Sequence, residues 1–131
     1  MIVVDTSALV DILVERPSNV ALRQRIGGAA ELHAPHLIDL EFLSVLRRLV
    51  HGQALSIDAA AVAREQFEDL VIERYPHEPL RDRIWQLRDS LTAYDGAFVA
   101  LGETLGLPLV TSDGRIARAH GHRAQVESYA R

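Results

Sequence analysis

Residues 1–10, Met1-Ile2-Val3-Val4-Asp5-Thr6-Ser7-Ala8-Leu9-Val10, read as a buried strand that turns directly into a helix. The apolar run stops at a carboxylate, and hydroxyl residues then open a new apolar period. Asp5 therefore stands at the carboxyl end of the first strand. In an open α/β sheet the crevice outside those ends is where ligands bind, so a carboxylate there is positioned to hold a cation or handle a proton. Three later acids, Glu41, Asp95 and Asp113, are expected at the same crevice.

Outward from that stretch, strands and helices alternate. Thr6 or Ser7 is expected to cap a helix reaching about Leu13, and Pro17-Ser18 to restart a second short helix that Gly27-Gly28 ends. Glu31 to Ala34 reads as a strand. Pro35 then opens a helix from His36 to about Val50, stopped by Gly52, and Ser56 caps the next, Ile57 to Leu70. Val71 to Tyr75 is a third strand, followed by a helix from Pro79 to Leu91 with Ile84, Leu87 and Leu91 on one stripe. Thr92-Ala93-Tyr94-Asp95 starts a helix that ends at Gly106. Leu107 to Thr111 is a fourth strand, Ser112-Asp113-Gly114 a turn, Arg115 to His120 a short helix and Gln125 to Ser128 a last strand. This alternation predicts a mainly parallel sheet covered by helices on both faces, in one domain spanning 1–131.

Composition narrows the chemistry. With 131 residues, 48% of them hydrophobic, the chain is expected to be globular. It has no cysteine, which excludes disulfides, thiolate metal sites and thiol catalysis and leaves oxygen and imidazole ligands. All 14 basic residues are arginine; the absence of lysine excludes P-loop and lysine-dependent phosphotransfer, including a receiver-like phosphoacceptor site. A net charge of −4 means that nucleic acid would have to be met by a local patch. No apolar run approaches membrane-spanning length and the N-terminus does not resemble a signal peptide, so a cytoplasmic location without membrane contact is expected.

Each of the four acids has a plain explanation of its own. Glu41 projects from the margin of an apolar stripe formed by Ile38, Phe42, Val45 and Leu49, where it either finds a partner or reaches solvent. Asp95 suits a helix start, Asp113 a Ser-Asp-Gly turn and Asp5 a helix cap. Jointly the plain explanations weaken, because Asp5 and Asp113 close strands at the same end of the sheet and Asp95 begins a helix pointing there. Carboxylates brought together repel unless a cation lies between them, so convergence implies Mg2+ or Mn2+. Asp11, Asp39, Asp58, Glu65, Glu68, Asp69, Glu73 and Glu103 are expected on solvated helix faces or element ends, without a role. The close pair His120 and His122 reads as a surface loop.

Val3-Val4-Asp5-Thr6-Ser7-Ala8-Leu9, Leu40-Glu41-Phe42, Tyr94-Asp95-Gly96-Ala97 and Leu107-Pro108-Leu109-Val110-Thr111-Ser112-Asp113, in that order and spacing, resemble PIN-domain ribonucleases, and in particular VapC toxins of toxin–antitoxin pairs. The resemblance runs over essentially the whole chain. It implies a three-layer α/β/α domain with a five-stranded parallel sheet in the order 3-2-1-4-5, and homodimerisation. It also implies Mg2+ or Mn2+ held by Asp5, Asp95 and Asp113, with Glu41 contributing directly or through water. The implied reaction is endonucleolytic RNA cleavage by a metal-activated water, leaving a 3′-hydroxyl and a 5′-phosphate. The Thr6 and Ser112 hydroxyls are suited to orient the carboxylates or bound water. Some relatives carry a further acid after the fourth motif, where Gly114 and Arg115 stand here, so one or two metal ions remain open. Arg115 and Arg118 are candidates to contact RNA phosphates, or else belong to a solvated short helix. A VapB-type antitoxin is the implied partner; Leu40 and Leu43, outside the buried stripe, would pack on it or on the second helix of the same domain. The competing function is a non-cleaving RNA- or protein-binding module of the same fold.

Overall fold

In the computed structural model, which describes residues 1–130, the opening strand β1 is Ile2–Val4, and its three side chains are all fully buried. Side chains alternate between the two faces of a strand, so total burial means that both faces of the sheet are covered. Four further strands, β2 (Leu32–Pro35), β3 (Ile72–Tyr75), β4 (Leu109–Thr111) and β5 (Val126–Ser128), complete a sheet in the order β3-β2-β1-β4-β5. Every pairing is parallel, with Val3 beside His33 on one side and Leu109 on the other. β1 is therefore central. β2 and β3 are added on one side of it and β4 and β5 on the other, which opens a crevice between the ends of β1 and β4.

Seven α-helices connect the strands: α1 (Thr6–Val10), α2 (Val20–Gly27), α3 (Ile38–His51), α4 (Ile57–Asp69), α5 (Arg81–Gln86), α6 (Ala93–Leu105) and α7 (Gly114–Arg118). α6 is buried along its middle from Gly96 to Gly102 and packs across β1, β2 and β4. Its ends are those expected: the Thr92 hydroxyl accepts from the Asp95 amide at 3.1 Å, and Gly106 closes the helix at φ 65°, where a side chain would be strained. α3 packs Phe42 flat on Phe67 of α4, with ring centroids 4.2 Å apart.

Five local expectations are corrected. The first helix is capped by Asp5 itself, whose Oδ1 accepts from the Ala8 amide at 3.0 Å, rather than by Thr6 or Ser7. It does not run on as α-helix to Leu13 but widens into a π-helical turn, Asp11–Glu15, closed by the Arg16 amide on the Asp11 carbonyl. Pro35 ends β2 instead of opening α3, because His36 still donates to the Tyr75 carbonyl and prolongs the ladder. The stretch 79–91 breaks into a 3₁₀ turn (Glu78–Leu80), α5 and a run of turns. Leu87 and Leu91 still reach the core. In α3 the buried stripe is Ile38, Phe42 and Leu46, a strict four-residue spacing that takes Leu46 in place of Leu49.

Candidate active site

The crevice at the ends of β1 and β4 is a cavity of about 1030 Å3, and Asp5, Glu41, Asp95 and Asp113 all line it. Each arrives on a different element: the end of β1, the first turn of α3, the first turn of α6 and the residue capping α7. Asp5 is 4% exposed and held at both oxygens. Oδ1 accepts from Ser7 Oγ at 2.7 Å as well as from the Ala8 amide, and Oδ2 accepts from Thr111 Oγ1 at 2.5 Å. Burial nevertheless dominates and pushes the carboxyl up to about 6, since hydroxyls and one amide replace lost water only in part. Thr6 Oγ1 donates to Glu41 Oε1 at 2.7 Å and so ties α1 to α3. Burial also raises Glu41 and Asp95. The nearby Asp95 charge adds to the rise at Glu41 and at Asp5, and the Asp113 charge to that at Asp95.

Asp113 differs. Arg115 turns back onto it, donating from its amide at 2.9 Å, from Nε at 3.1 Å and from Nη2 at 2.7 Å, and this guanidinium holds the carboxyl below the usual carboxylate range. Arg118 adds to the same field and lies against the Gly114 backbone. The arginines that line the cavity are Arg16, Arg47 and Arg48.

Sequence reasoning passed over two further acids on this cavity, Asp11 and Glu15. Asp11 is 3% exposed and lines the same cavity, instead of sitting on a solvated face. It pairs through both oxygens with Arg16 and accepts from Ser112 Oγ at 2.8 Å. Burial pushes it up, but Arg16, Ser112 and Asn19 together outweigh that and hold it below its ordinary value. Ser112 therefore serves Asp11 and none of the other four acids. Its amide donates to Ser7 Oγ at 3.0 Å, which makes Ser7 the joint between β4 and Asp5. Arg16 also donates to the Tyr129 carbonyl at 3.0 Å, just past β5. Asp11 interrupts Leu9-Val10 and Ile12-Leu13-Val14, the same signal that marked Glu41. Glu103 is likewise corrected, since its side chain is 8% exposed and paired with Arg83; Asp39 keeps its place on a solvated helix face and pairs there with Arg74.

The donors at the crevice are all carboxylate and hydroxyl oxygens, a set that suits Mg2+ or Mn2+ and disfavours softer metals. Among the described residues no three acidic or imidazole side chains are drawn into a closed ligating group. Burial raises Asp5, Glu41 and Asp95, a neighbouring acid adds to each rise, and of the four Asp113 is the one hydrogen-bonded to a guanidinium, whose charge also reaches Asp95.

The PIN domain family profile matches residues 2–121. Ribonuclease VapC12 of Mycobacterium tuberculosis is 41% identical over 130 residues, covering 99% of this chain and 100% of that protein. Ribonuclease VapC1 of the same species is 36% identical over 126 residues, 95% of each. Among solved structures, PAE2754 from Pyrobaculum aerophilum superposes with a TM-score of 0.66 at 22% identity, over 95% of this chain and 81% of that one. VapBC2 from Rickettsia felis, bound to a DNA fragment from their promoter, gives a TM-score of 0.66 at 12% identity over 98% of both chains. At these identities the structures speak for the fold, while the full-length sequence relatives carry the narrower assignment. The chain belongs to the PIN-domain family, in its VapC group.

Proposed function

We propose that this chain is a Mg2+- or Mn2+-dependent endoribonuclease acting as the toxin of a toxin–antitoxin pair. The observation that carries the reading is the meeting of Asp5, Glu41, Asp95 and Asp113, from four separate elements, on one cavity. The names of the VapC relatives support RNA as substrate. Asp5, Asp95 and Asp113 would hold the cation, with Glu41 adding a ligand directly or through water. When bound, the cation neutralises charge on the phosphoryl oxygens in the transition state and lowers the pKa of the attacking water.

The chain's own groups do the rest. Ser7, Thr111 and the Ala8 amide fix Asp5 in one rotamer, so its charge is preorganised. Thr6 fixes Glu41 through Oε1 and leaves Oε2 to take a proton from the attacking water. Arg115, paired with Asp113 and with Arg118 behind it, would be available to meet a phosphate when a cation is bound. The products would be a 3′-hydroxyl and a 5′-phosphate.

Partners follow the same reading. A VapB-type antitoxin would cover Leu40, which is 70% exposed on the cavity wall, and the neighbouring exposed Leu43. A homodimer is the expected assembly. One observation favours the alternative of a non-cleaving binding module: Arg115 already neutralises Asp113. Purified protein incubated with a broad RNA panel separates the two. Cleavage that needs Mg2+ and disappears with EDTA and in Asp5→Asn supports the nuclease. No cleavage of any RNA favours the binder, and cleavage that survives both controls rules out an acid-centred reaction.

A further inference from the structure

Beside the acid cavity lies a second cleft of about 550 Å3, lined by the two aromatic side chains Trp85 and Tyr94, which are 67% and 66% exposed. Its floor is apolar, with Leu37, Leu91 and Ala97. No core demand explains aromatics left this open, because burying them would gain what leaving them in water forgoes.

The charge around the cleft is one-sided. His77 lines it too, and its Nε2 accepts the Leu37 amide at 3.1 Å. The arginines on the wall are Arg81 and Arg88, while Glu78, Asp82 and Asp89 of the same segment stay off it. In a chain of net charge −4 that is a local selection for an anionic or π-rich ligand. Arg88 already shows the geometry, with its guanidinium carbon 4.6 Å from the centre of the Trp85 ring.

Leu37 and Tyr94 belong to both cavities, and Tyr94 directly precedes Asp95. A strand whose phosphate lies over the acids thus enters the cleft with an adjacent nucleotide. We propose that the Trp85–Tyr94 cleft is a nucleobase subsite, which takes an unstacked base of single-stranded RNA while Arg81 and Arg88 meet its backbone. Aromatic platforms flanked by arginine are the means by which single strands are held without a fixed sequence. The inference rests on the ribonuclease reading and adds to it where the substrate runs.

Trp85 is the only tryptophan, so intrinsic fluorescence reports this position alone. With EDTA present to prevent cleavage, titration with a short single-stranded RNA is expected to quench Trp85 emission to saturation, and the same strand made abasic is expected to leave it unchanged. By anisotropy of a labelled strand, Trp85→Ala and Arg88→Ala should each weaken Kd roughly tenfold, and Trp85→Phe should retain most of the affinity. Circular dichroism melts confirm that the variants fold. RNA binding with Trp85 emission unmoved, or with Trp85→Ala as tight as the parent, overturns the subsite. Emission that follows protein concentration and ignores RNA overturns it in favour of a contact with a second copy. RNA neither bound nor cut with Mg2+ removes the ribonuclease reading itself.

Discussion

Asp5 and Asp11 lie six positions apart at the two ends of one short helix and are equally buried, yet they have opposite electrostatic fates. Asp5 is surrounded by hydroxyls and an amide, and burial drives its carboxyl up to about 6. Asp11 faces the same burial but has a guanidinium of its own, and it stays below the ordinary carboxylate value. Glu103, Glu127 and Asp113 side with Asp11, each lowered beside an arginine; Glu41 and Asp95 side with Asp5. Asp11, Glu103 and Glu127 are neutralised by arginines within the fold. Asp5 and Glu41 have hydroxyl or amide partners instead, which offset their burial only in part.

The strongest way to break this division is Asp95→Asn. If Asp95 awaits a metal, cleavage should fall by more than the roughly 10- to 100-fold typical of losing a group that only orients a ligand. The metal-free variant should melt no lower than the parent, since one of several repelling charges is gone. A much lower melting temperature would move Asp95 to the structural class.

Asp11→Ala should cost about 2–4 kcal/mol in urea unfolding. That is near the figure for breaking a buried ion pair, reduced because Arg16 keeps some hydration. A cost under about 0.5 kcal/mol would make the pair incidental.

Stability against pH sharpens the contrast. The folded chain keeps the Asp5 proton up to about pH 6, whereas the unfolded chain loses it near 3.8, so metal-free stability should fall as pH rises through that window. For Asp5 alone the fall is of order 3 kcal/mol, and Asp5→Asn should remove it. Asp11 acts with the opposite sign: its contribution is present above its unfolded value and lost as pH falls through its depressed folded one. A stability curve that rises between pH 4 and 6 would contradict the unpaired burial of Asp5.

Arg115→Ala should give the smallest change. The pair is exposed on the arginine side, so less than about 1 kcal/mol is at stake. Titration calorimetry should nonetheless show Mg2+ binding more tightly once that competing cation is removed.

How much of this was written in the sequence depended on range. α4 and α6 were legible because Ser56, Thr92 and Gly106 give local, mechanical stop and start signals. The strand order and the meeting of the four acids came through the motifs and their resemblance to a family. The network around Asp5 did not. Ser7 and Thr111 lie 104 positions apart, and a serine after an aspartate reads first as a helix cap. Asp11 was missed although it broke an apolar run as Glu41 does, because its partner Arg16 stands beyond the π-turn, outside helical spacing. Trp85 carried no periodic signal: α5 is too short to have a stripe.

The bond from Arg16 to the Tyr129 carbonyl joins the π-helical turn after α1 to the residue just past β5, 113 positions along the chain. The same guanidinium pairs with Asp11, and Asp11 accepts from Ser112 at the end of β4, so loosening the β5 edge would be felt at the wall of the acid cavity.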